Sequence, residues 1–335
     1  MSEPRLLVRL LAEPAAVGEV RDWTSLLSLA RAESLLGSLA FRLDGLPVPE
    51  KVGRILDGAR RDALYARTSA LWEAEMARRA LVQTGVAVVL LKGTAYAAGG
   101  LSAGIGRSIG DLDILVPHEA LGAVESALLT AGWEWVKEDA YDDLYYRRWM
   151  HELPPLIHRE RDRMIDVHHT ILPLTARPRP DAAAMVAASL PLENGLRILA
   201  PADMVVHAAA HLFADGDLAG GLRNLWDIDR LLRDFAEQDG SWASLEERAR
   251  LHMLSAPVRR AVRLAAGLYG TPVPKSWSRK DGTDPLFRAR LLARNGWGQE
   301  TRRGLRLGFY VRSHALRMPP LMLARHLMTK ARKRG

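Results

Sequence analysis

Two aspartates, Asp111 and Asp113, stand two residues apart in the run Asp111-Leu112-Asp113-Ile114-Leu115-Val116. Alternate side chains of a strand leave the same face, so both carboxylates point to one side of the sheet. Adjacent acids repel each other, and such a pair calls for a divalent metal to neutralise it. Upstream, residues 86–91 read as an apolar strand, Lys92-Gly93 opens a short helix, and a glycine-rich loop follows. The amides of Gly93 and Thr94, at the start of that helix, suit an anion. A metal site beside an anion-binding turn means phosphoryl or nucleotidyl chemistry.

The elements that must position these residues follow from periodicity. Residues 5–44 carry leucines at helical spacing and predict two or three helices, ending at Asp44-Gly45. A long charged helix is expected over 50–84, with Gly85 as its stop. After the aspartate strand, residues 118–131 read as a helix ended by Gly132, and 133–137 and 144–150 as strands on either side of Tyr141-Asp142-Asp143. Residues 153–158 and 163–171 read as a hairpin whose turn is the charged segment 159–162. In its second arm Asp166 and His168 share one face, which brings Asp166 beside Asp111 and Asp113 if the strands are neighbours. On spacing alone the plainer reading of Asp166 is a solvent-facing strand residue. A proline-rich connector, 173–180, then separates the sheet from a second helical block that starts at Pro201. His207 and His211 lie at i, i+4 on its first helix; they lack the third ligand and general-base Glu of a zinc enzyme, so they read as packing or hydrogen-bonding residues.

Lys92-Gly93, Arg107-Ser108, Asp111 and Asp113 together resemble the signature of the DNA polymerase β-like nucleotidyltransferase superfamily. Within it they resemble an uncharacterised bacterial nucleotidyltransferase family with a Lys-Gly turn, an Arg and an Asp-x-Asp strand. The superfamily's third acid lies on a later strand, and Asp166 occupies the matching position. The resemblance implies an α/β (α+β) fold: a nucleotidyltransferase-fold mixed sheet flanked by helices, with N-terminal and C-terminal helical regions. The corresponding divisions are a helical region at 1–84, a catalytic core at 85–180, a helical domain at 181–300 and a basic tail at 301–335.

The resemblance also implies an enzyme that moves NMP from an NTP to a hydroxyl of a small-molecule, sugar, peptide or protein acceptor, using two Mg²⁺ ions. Asp111 and Asp113 would be shared by both ions. Asp166 would hold one and help remove the proton of the attacking hydroxyl. Lys92, Gly93 and Thr94 would meet the triphosphate, and Arg107 would neutralise its charge. The superfamily's Gly-Ser turn is Lys-Gly here, so Ser108 is the candidate substitute for the missing hydroxyl. In that family a His-bearing helix and an Arg/Trp-Asp helix pack over the site, which makes His211, Arg223 and Asp227 candidates for substrate or structural contacts. Two alternatives stay open: a toxin-like nucleotidyltransferase acting on tRNA, and a catalytically inactive nucleotide-binding or scaffolding module.

Composition narrows the partners. The chain has 335 residues with 47 Lys and Arg against 39 Asp and Glu. Ten of those basic residues, and no acid, lie between Thr301 and Gly335, so the body without the tail has a net charge of −2. A uniformly basic nucleic-acid-binding body is thereby excluded. The stretch from Arg302 to Arg334 alternates basic and apolar residues; it suits an acidic partner, RNA or an anionic membrane surface, or packs on its own domain. With no cysteine, thiolate metal sites and thiol nucleophiles are excluded. The lack of a membrane-length apolar run and the acids near the N-terminus lead us to expect a cytoplasmic protein.

Overall fold

Val89–Leu90 (β1) and Leu112–Leu115 (β2) pair antiparallel near the middle of a mixed sheet. The computed structural model describes residues 2–137, 146–236 and 238–317. Among these residues the sheet has seven strands in the order β3-β4-β5-β2-β1-β7-β6. Trp133–Trp135 (β3), Leu156–His158 (β4) and Met164–His168 (β5) form its antiparallel flank. Leu190–Pro191 (β6) and Arg197–Ile198 (β7) form the other edge. Every residue of β2 is buried, as expected of a strand covered on both faces.

The pairing that matters most joins β2 to β5. They run parallel with Asp113 opposite Asp166 and Leu115 opposite His168. The hairpin predicted around 159–162 brings β5 back along β4, and β5 then lies against β2.

Among the described residues, the helices Glu3–Ala12 (α1), Trp23–Ala32 (α2) and Leu36–Arg42 (α3) come before the long helix that leads into the sheet. The Asp22 side chain caps α2 by accepting from the Ser25 amide at 3.0 Å. The long helix α4 spans Glu50–Leu81, continues as a short 3₁₀ turn to Thr84, and stops at Gly85 with φ +64°. It packs on α3, on β2, and on the helices Lys92–Ala98 (α5) and Leu121–Thr130 (α6). After the sheet, the helices Pro201–Ala210, Gly221–Phe235, Ser241–Leu251 and Ser255–Tyr269 pack on one another. Helix Ser255–Tyr269 also touches α1, so the helical regions from the two ends of the sequence meet. One apolar cluster runs from Leu7 through the sheet to Phe309.

Two readings need correction. Residues 146–149 are helical, not extended. β4 is already flanked by β3 and β5, so no ladder position beside the hairpin is left for another strand. The connector at 173–180 also does not end the sheet: β6 and β7 lie beyond it, and β7 pairs in parallel with β1. Both strands are only two residues long, too short to show a period in the sequence. Tyr141-Asp142-Asp143 and the tail beyond residue 317 lie outside the described residues. The described start of the tail, helix Arg303–Arg317, packs on its own domain: Phe309 is buried against Phe287, and Arg312 Nη2 donates to the Phe213 carbonyl at 2.7 Å. No helix among the described residues is long and apolar enough to cross a membrane.

Candidate active site

The turn between β1 and α5 leaves the sheet under strain. Lys92 has φ +47°, a left-handed conformation unusual for a long side chain. The Leu91 amide donates to the Asp113 carbonyl at 3.0 Å, which ties the turn to β2. The Lys92 side chain comes back over β2, and its Nζ donates to Asp113 Oδ1 at 2.6 Å. His168 Nε2 bonds to the same oxygen at 3.0 Å.

Three acids converge there. One carboxylate oxygen from each of Asp111, Asp113 and Asp166 lies within 4.8 Å of the other two. Asp113 is buried, Asp166 half-buried and Asp111 exposed, so the cluster opens to solvent on the Asp111 side. Burial works against ionisation of Asp113, but the His168 hydrogen bond and the Lys92 charge hold it well below the usual carboxylate range. Asp166 is pushed up, first by burial and then by the charges of Asp113 and Asp111. Lys92 keeps its proton: burial opposes the charge, but the three carboxylates, Asp113 foremost, outweigh it. Three hard oxygen donors with more negative charge than Lys92 offsets fit a divalent cation of the Mg²⁺ or Ca²⁺ class.

The other predicted residues are placed more variously. Gly93 is buried with its Cα hydrogen against Arg107; a Cβ there would overlap the guanidinium and come within 3.1 Å of Ile109. Arg107 Nε donates to Asp227 Oδ2 at 3.0 Å, and Arg223 Nη2 stands 3.0 Å from the other oxygen of Asp227. Arg223 Nη1 in turn donates to Ser38 Oγ at 2.8 Å, so this network reaches the N-terminal helices. Thr94 is buried and its hydroxyl has no hydrogen-bond partner among the described residues. Ser108 is exposed and lines a cavity of about 200 Å³ with Gly37, Asp62 and Gly106; the acids are not among its lining residues. Gly106 is required there: its φ is +68°, and a Cβ would come within 2.6 Å of the Gly37 backbone.

His207 and His211 are held neutral by burial, His211 down to about 4, and neither joins a group of side chains close enough to share an ion among the described residues. Residues that the sequence reading left without a role do appear beside the acids. His168 bonds Asp113, and Glu152 Oε2 lies 3.3 Å from His168 Nδ1. Burial, opposed by His168 and reinforced by Asp166, pushes Glu152 up to about 7. His168 is detectable in sequence by its place two residues after Asp166. Glu152 is not, because only its isolated antiparallel bridge to His168 brings it there.

A family model described as uncharacterised nucleotidyltransferase matches residues 19–270, a span that contains the whole sheet and every residue of the acidic cluster. The chain belongs to this nucleotidyltransferase family. The convergence of Asp111, Asp113 and Asp166 fits nucleotidyl transfer, and nucleotidyltransferases use an NTP and divalent metal. No curated protein sequence matches the chain.

Proposed function

We propose that this nucleotidyltransferase moves NMP from an NTP to a hydroxyl group of a small-molecule, sugar, peptide or protein acceptor, with Mg²⁺ held by Asp111, Asp113 and Asp166. The observation that carries the reading is the arrival of Asp166, from a separate strand, within 4.8 Å of the Asp111 and Asp113 oxygens. The ion, when bound, supplies positive charge to the phosphate oxygens and screens the three acids from one another.

The chain's own residues divide the remaining work. The acceptor oxygen forms a bond to the α-phosphorus, the bond from that phosphorus to the β-phosphate oxygen breaks, and pyrophosphate leaves. Asp166 takes the proton of the attacking hydroxyl; its burial and its two acidic neighbours raise its proton affinity, which suits that task. Lys92 brings one positive charge to the edge of the acid cluster, where the triphosphate must lie. The Gly93 amide and the Thr94 hydroxyl, which has no partner among the described residues, complete the anion-binding turn. Arg107, packed on Gly93 and oriented by Asp227, backs that turn with a second positive charge.

The test is incubation with each labelled NTP, Mg²⁺ and cell extract, following both pyrophosphate and the molecule that takes up label. We expect label in one acceptor class, lost in Asp166→Asn. Calorimetric binding of NTP without pyrophosphate release under every condition would leave a nucleotide-binding module instead.

A further inference from the structure

A second group of metal-ligating side chains lies next to the acids and shares none of them. It consists of His151, Glu152 and His168, whose candidate ligand atoms all lie within 4.8 Å of one another. Asp113 is an ionised acceptor, so the proton in its 3.0 Å contact with His168 belongs to Nε2. On the other side of the ring, His168 Nδ1 faces Glu152 Oε2 at 3.3 Å.

His151 joins from the same side. Its Nε2 lies 3.8 Å from the same Glu152 oxygen, and its ring stacks on that of His168 with centroids 5.2 Å apart. Its Nδ1 is buried with no hydrogen-bond partner among the described residues, a cost of about 1–3 kcal/mol if nothing engages it. Ligand atoms about 2.0–2.1 Å from a tetrahedral ion stand roughly 3.3 Å apart. The Glu152–His168 pair is already at that separation, the Glu152–His151 pair is wider at 3.8 Å, and all three candidate atoms lie within 4.8 Å of one another.

We infer that His151, Glu152 and His168 form a binding site for a divalent cation of the zinc class, distinct from the oxygen-only cluster of Asp111, Asp113 and Asp166. Two imidazoles and one carboxylate are a donor set that zinc takes with a fourth position open, and that Mg²⁺, with its preference for oxygen, does not. His168 also has the outer partner that metal-bound histidines use, since its remaining N–H donates to a carboxylate. A cation on Nδ1 leaves Nε2 as the protonated nitrogen, so it holds His168 as a donor and holds the Asp113 carboxylate in place. The two sites therefore communicate through one imidazole. The site follows from donor geometry and does not depend on the nucleotidyl-transfer reading.

The test uses the full chain, stripped with a chelator and titrated with Zn²⁺ against a chromogenic competitor in excess Mg²⁺. Wild type is expected to take one tight equivalent. His151→Ala and Glu152→Gln should weaken it by at least about tenfold, while Asp111→Asn keeps it within twofold (about 0.4 kcal/mol). Far-UV circular dichroism checks that each variant is folded. Zinc-edge X-ray absorption on wild type needs no variant and should read two imidazole nitrogens. The inference is overturned by no tight equivalent in wild type, by an equivalent that both His151→Ala and Glu152→Gln retain, or by a zinc environment of oxygen alone.

Discussion

Asp113 and Asp203 are both buried aspartates reached by one basic side chain and one histidine, yet their surroundings are not equivalent. Both oxygens of Asp203 accept from Arg248, at 2.7 and 2.6 Å, and His252 Nε2 lies 3.2 Å from Oδ1. That charge is matched by a bidentate guanidinium, and its job is to join helix Pro201–Ala210 to helix Ser241–Leu251. Asp113 has a single lysine contact and His168 on the same oxygen, and two further carboxylates crowd it. Asp229 repeats the matched pattern: Arg230, Arg233 and Thr271 all bond to it. The contrast separates acids whose charge is matched within the fold from acids that crowd one another. A buried carboxylate with its own guanidinium is complete, whereas three carboxylates around one ammonium are not.

The largest effect that can break this contrast is on rate. Asp113→Asn or Asp166→Asn should lower label transfer by about a thousandfold or more, since metal-site charge stabilisation is worth several kcal/mol. Full activity in both would remove the acids from the chemistry. On the structural side, Asp203→Ala leaves the buried His252 and the half-buried Arg248 without their shared partner and should cost about 1–3 kcal/mol in a denaturant titration. An unchanged midpoint would mean that the matched site is not structural. Gly93→Ala forces Arg107 off the turn and should destabilise by about 1–3 kcal/mol, with weaker NTP binding by calorimetry.

A pH series sharpens the comparison further. Burial, helped by the Lys92 charge, holds His211 down to about 4, against an ordinary 6.5. Its contribution is therefore complete above pH 6.5 and is lost as pH falls through about 4. The unfolding free energy of His211→Gln, from denaturant titrations, should change less across that window, by on the order of 1–3 kcal/mol. The smallest effect belongs to Asp111→Asn in metal-free buffer. Asp111 is exposed, and removing its charge relieves repulsion, so stability should hold or rise, by less than about 1 kcal/mol. A clear loss there would mean that Asp111 is matched after all.

How much of this could be read from residues alone varies by element. Helix α4 and its stop at Gly85 were legible because long helices repeat their pattern over many turns and glycine tolerates φ +64°. The hairpin of β4 and β5 was legible because a charged turn separates two apolar arms. The segment 146–149 misled, since a four-residue stretch of aromatic and basic side chains suits either state until its neighbours decide. Strands β6 and β7 were invisible because two residues carry no period.

Local order, by itself, determined the Asp111/Asp113 pair and the Lys-Gly turn, because side-chain alternation and turn chemistry act over a few neighbouring residues, whereas Asp166 stood out as a third acid only through the family resemblance. Tertiary structure alone decided that β5 lies parallel to β2 with Asp166 opposite Asp113, that His168 reaches Asp113 from 55 residues away, and that Arg107 leans on Asp227. The physical reason is that strand register and ion-pair matching are set by which surfaces the whole core brings together, and spacing along the chain carries no record of that.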